Sequence, residues 1–124
     1  MLALLLISAA LTPVLAGEVD FSVLMKDAED KVMTDCVTTQ CEAKREITLR
    51  IVALTALNVA EQNLPADEQI RRGLLAQTIY KSIGTVTLDA KDTELVKTLI
   101  AKRGYPPVVV LQAFQQLDPA SIKR

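Results

Sequence analysis

The side chains that could do chemistry in this chain are few, and their types are restrictive. With no histidine among 124 residues, His-based general acids and bases, Ser-His and Cys-His pairs and His metal sites are excluded. The only cysteines are Cys36 and Cys41, and an oxidising compartment favours joining such a pair. On an uninterrupted α-helix their Cα atoms would stand about 8.7 Å apart. A disulfide tolerates less than about 7 Å. The intervening Val37-Thr38-Thr39-Gln40 has modest helix propensity and two β-branched threonines. The expectation is a helix broken between the cysteines and a structural disulfide. A redox-active pair is not expected, because the Cys-x-x-Cys spacing is missing.

The 15 acidic and 14 basic side chains leave a net charge of −1 and form no basic stripe, which argues against nucleic acid as a partner. Carboxylates that hydrolyse a bond must flank a cleft, and every acid here sits at a helix start or on a polar face. Ser22, Ser82 and Ser121 lie in no Gly-x-Ser-x-Gly turn. The four glycines are scattered and make no phosphate-binding loop. Asp89–Glu94 lacks the spacing and glycine of a calcium loop. The reading is therefore no catalytic residue, no metal and no cofactor. Four charged residues stand out as ion-pair candidates. Glu46 and Arg50 have the favourable i,i+4 order, with Glu61 on the same strip, and Arg72 shares a face with Ala76, Ile79 and Ile83. The Tyr105-Pro106-Pro107 turn is the candidate partner contact, since tyrosine is enriched at interfaces and proline reduces the entropy lost on docking.

These residues must be positioned by helices if hydrophobic periodicity is the guide. Phe21, Leu24, Met25, Ala28, Val32 and Cys36 fall on one arc at helical pitch, with Asp20 placed to cap the start. From Glu42 to Gln62 the pattern is apolar on two sides, which predicts a central helix sandwiched between neighbours. Pro65 opens a third helix that ends at Gly84, its buried face formed by Leu75, Ala76, Ile79, Tyr80 and Ile83. Asp89 to Gly104 and Pro107 to Leu117 supply two more. The expected fold is a single all-α domain of about five helices over residues 17–124. An α+β alternative pairs a short strand at 85–88 with one at 108–111.

Residues 1–16 stand apart. They carry no charge, and 13 of the 16 are apolar. Val14-Leu15-Ala16 has the small-residue pattern read by a signal peptidase, with cleavage expected before Gly17. No Lys or Arg precedes the apolar run, and no cysteine follows the cleavage point for lipidation. The run is too short and too interrupted for an anchor. In the remainder no apolar stretch is long enough for stable membrane insertion. The chain reads as secreted or periplasmic, and its role as non-catalytic. The expectation is a protein-binding module (inhibitor, immunity-type protein, adaptor or chaperone). A carrier of a small apolar ligand ranks second, and an enzyme using carboxylates without histidine ranks third.

Overall fold

The computed structural model describes residues 17–122, where the chain is mixed α+β and not the expected all-α bundle of about five helices. In chain order the elements are β1 (Gly17–Asp20), β2 (Thr34–Cys36), β3 (Lys44–Glu46), α1 (Leu49–Leu57) and α2 (Ala66–Lys81). They continue with β4 (Thr85–Leu88), α3 (Ala90–Lys102), α4 (Pro107–Leu117) and a terminal 3₁₀ turn, Pro119–Ser121. The strands make two separate two-stranded antiparallel sheets, β1 with β4 and β2 with β3.

The expected first helix does not form. Its residues at helical spacing lie instead in a turn, two isolated bridges (Leu24 with Thr48, Lys26 with Val32) and β2. The reason lies in the aspartates. The Asp27 carboxylate accepts from the backbone N–H groups of Glu29 (2.8 Å) and Lys31 (3.0 Å). Asp30 adopts a left-handed conformation, φ 67°. Short polar side chains that bond nearby backbone in this way compete directly with a helix. The same stretch also contains Phe21 and Met25, both fully buried, with Val23 partly buried between them. That alternation is the strand-like reading of a pattern equally consistent with a helix.

The expected 42–62 helix is cut at both ends. Lys44–Glu46 pairs with Thr34–Cys36, so the hairpin takes the first turn. The helix proper ends at Leu57, with Asn58 as its C-cap. What remains, α1, packs against both α2 and α3. Its free N–H groups are satisfied from three places. Thr48 Oγ1 accepts from Ile51, while the carbonyls of Val23 and Phe21 accept from Leu49 and Arg50. The N-terminal segment thus caps the helix it was expected to precede as another helix.

The α+β alternative placed the wrong strands together. Thr85–Leu88 is a strand, but its partner is β1, in the register Gly17 to Leu88 and Val19 to Val86. Residues 108–111 lie in α4. Pro107 at the first turn supplies a helical φ, and the Pro106 carbonyl accepts from Val109 and Val110. Burying Val109, Ala113 and Leu117 on one helical face then outweighs the strand preference of three consecutive valines. The core gathers Val19, Phe21 and Met25 with Leu88 and the inner faces of all four helices. Among the described residues no helix is long and apolar enough to cross a membrane.

Candidate functional site

Cys36 and Cys41 are joined by a disulfide, Cα to Cα 4.7 Å. The bond closes the tip of the β2–β3 hairpin rather than a break between helices. Val37 N–H donates to the Ala43 carbonyl, and Cys41 sits at φ 58° to make the reversal. Arg45 and Asp35, facing each other across the hairpin, add an exposed ion pair at 2.9 Å. The hairpin residues are exposed or half-buried, so the bond staples a surface feature.

The four charged candidates separate. Glu46 lies in β3, fully outside α1, and is exposed. Arg50 turns away from it toward the end of α2, where its guanidinium donates to the carbonyls of Ile79 (3.2 Å) and Ser82 (3.0 Å). An arginine there satisfies carbonyls that a helix leaves open and complements its dipole. Glu61 and Arg72 are brought together at 2.6 Å. Arg72 also reaches Glu68 at 3.2 Å, and Glu68 meets Arg71 at 3.4 Å. Arg71 in turn meets Asp92 of α3 at 3.0 Å. The result is a chain of alternating charges that ties the α1–α2 connection, α2 and α3 together. The Arg72 side chain is 12% exposed.

That network shifts its acids. Hydrogen bonding from Arg72 holds the Glu61 and Glu68 carboxyls below the ordinary glutamate value, outweighing partial burial. Their contribution to stability is fully present above the ordinary value of 4.5 and is lost as pH falls through the depressed folded values. The melting temperature is therefore expected to drop between about pH 5 and pH 3. An Arg72→Met variant should show a shallower acid loss in a calorimetric pH series. An unchanged slope would assign the acid sensitivity to other carboxylates.

Tyr105 is half-buried, and its hydroxyl donates to the Val52 carbonyl at 3.3 Å. Its ring packs on the core, which leaves Pro106 and Pro107 as the exposed part of that turn. Gly104 before it takes φ 92°, the left-handed position that ends α3.

Comparison with protein-family models, with curated proteins and with solved structures finds no match.

The most distinctive surface is on α2. Leu75, Ala76 and Ile79 are buried, but Ile70 is 62% and Leu74 60% exposed on the opposite side. Tyr80 and Ile83, expected on the buried face, are 70% and 95% exposed. Ile83 lies beyond α2, which ends at Lys81 with Ser82 in an extended conformation, so the helical pitch that placed it on that face no longer applies. Tyr80 stands in the last turn of the helix. Beside Ile70 and Leu74 runs an open groove of about 520 Å³ between α2 and the junction of β4 with α3. It is floored by Leu75 and Leu88 and edged by Thr78 and Thr87. The i,i+4 spacing of Ile70 and Leu74, away from the Leu75–Ile79 face, is the sequence signal that could have marked this surface. No cluster of three metal-ligating side chains occurs among the described residues.

Proposed function

We propose that this chain is an exported, non-catalytic protein-binding module whose contact surface is the outer face of α2. The observation that carries the reading is the exposed pair Ile70 and Leu74 on a helix already buried along its opposite side. Isolated apolar residues on a surface are ordinary, but two adjacent large ones bordering an apolar-floored groove favour a contact site. The role is of the inhibitor, immunity-type, adaptor or chaperone kind. Tyr105 is tied to α1 by its hydroxyl, so Pro106 and Pro107 are secondary candidates for the same partner. The groove beside Ile70 and Leu74 is open to solvent, which supports docking there over enclosure of a small apolar ligand. Export is supported by the Cys36–Cys41 bond, which an oxidising compartment maintains. The apolar leader at residues 1–16, with cleavage before Gly17, lies outside the described residues and is part of the same proposal.

Affinity capture on the exported form, read by mass spectrometry, tests the reading. An Ile70→Asn/Leu74→Asn double variant should lose the captured partner at least tenfold while its melting temperature stays near that of the parent, because both side chains are exposed. Retention of the partner by the double variant, or recovery of lipid in place of protein, would refute it.

A further inference from the structure

Among the described residues strand β4 is hydrogen-bonded to a strand on one side only, in a sheet of the order β1–β4. A strand edge left in that state presents unpaired N–H and C=O groups in a row, a template for another extended chain. The groove described above lies against this strand, with Thr87 and Leu88 contributed by β4 and Ile70, Leu74 and Thr78 by α2. Backbone pairing and apolar side-chain docking are therefore available side by side, which is the combination used when a peptide adds to a sheet. From this juxtaposition we infer that α2 and β4 together receive an extended segment of a partner protein as a third strand beside β4. The inference rests on the protein-binding reading and specifies the partner.

The charges on the groove select the chemistry of that segment. Asp67, Asp89 and Asp92 line it against Arg71 and Lys91. Arg71 is engaged by Asp92 (3.0 Å) and by Glu68 (3.4 Å), the latter held more closely by Arg72 (3.2 Å). Three acids line the groove against two bases, an excess of one negative charge. Among the described residues the Asp67 and Asp89 carboxylates enter no ion pair, and neither does the Lys91 ammonium. The unpaired charge on the groove is therefore two acids to one base. An extended segment that alternates apolar and basic side chains matches both features. Its apolar residues meet Ile70, Leu74 and Leu88, and its basic residues meet the acidic rim. An acidic segment is disfavoured by the same rim.

The test uses the ¹⁵N-labelled protein as exported from the expressing cell, titrated with an acetylated and amidated hexapeptide of alternating valine and lysine. Saturable amide shifts are expected at Thr85–Leu88 and along Ile70–Thr78. Affinity should fall at least tenfold for the counterpart methylated at every peptide nitrogen, for the version with glutamate in place of lysine, and for the Ile70→Asn/Leu74→Asn variant. Three results overturn the inference: no saturable binding up to about 1 mM, equal binding of the N-methylated peptide, or shifts confined to other elements. Concentration-dependent broadening of the β4 amides without peptide also overturns it, by assigning the edge to a second copy of the chain. Loss of the natural partner in the double variant, alongside failure of the peptide, would leave the protein-binding reading standing and remove only the strand-addition inference.

Discussion

Replacing Phe21 by alanine is expected to cost about 4 kcal/mol, the largest single effect available in this chain. Phe21 is fully buried although it stands in the turn that follows β1. Truncating such a ring removes its transfer free energy and leaves a void that close-packed neighbours fill incompletely. The same residue's carbonyl accepts from Arg50 N–H at 2.8 Å and so helps hold the start of α1. A cavity that lets the turn shift therefore loosens the cap as well. Small domains have about 5–15 kcal/mol in total, so the variant should be partly unfolded near body temperature. Chemical denaturation measures the change directly. A loss below about 1 kcal/mol would mean that Phe21 is not in the core.

The second large effect is expected at Lys97, the one buried charged residue of the described chain. Its side chain is 11% exposed and its ammonium meets Glu94 at 2.8 Å and Asp118 at 2.9 Å. It also stands 5.3 Å from the centre of the Phe114 ring. Hydrogen bonding to Glu94, then to Asp118, raises its pKa despite partial burial. The stabilising contribution is thus present throughout neutral pH and is lost only as pH rises through the raised folded value. Lys97→Ala removes the bonds from α3 to the end of α4 and exposes the aliphatic stem's contacts, for an expected loss of about 2 kcal/mol. Lys97→Met should restore more than half of that. Glu94 and Asp118 are 67% and 33% exposed and can be solvated once the cation is gone. If methionine is no better than alanine, the charge pairing carries the contribution and the stem does not.

The three C-terminal helices were legible because their ends carry punctuation. Pro65, Asp89 and Pro107 mark the starts, and Gly104 marks a stop. The N-terminal third was not. There, Phe21, Met25 and Val32 satisfy a helical and a strand-like spacing in different subsets, and single-residue periodicity does not choose between them. Asp27 chose, through two local hydrogen bonds that composition does not display. In the candidate site, the Cys36–Cys41 bond followed from residue type and spacing, but its place at a hairpin tip instead of a helix break did not. Of the four ion-pair candidates, Glu61 and Arg72 are the two that meet. The outer face of α2 was not legible, although Ile70 and Leu74 stand at i,i+4 away from the Leu75–Ile79 face, because spacing shows a second apolar side without showing which of the two has a neighbour.

By itself the sequence determined what chemistry is open to this chain. Without histidine, and with one cysteine pair five residues apart, it restricts the catalytic options and makes a local crosslink the natural use of the thiols. These are properties of side-chain type and short separation, so they need no fold. Only the tertiary structure decided that β4 pairs with β1. Thr85 and Glu18 come within 3.0 Å although 67 residues separate them. That pairing depends on which surfaces the intervening helices leave free to be buried. The same packing leaves one edge of β4 without a strand partner among the described residues and leaves Ile70 and Leu74 of α2 exposed to solvent.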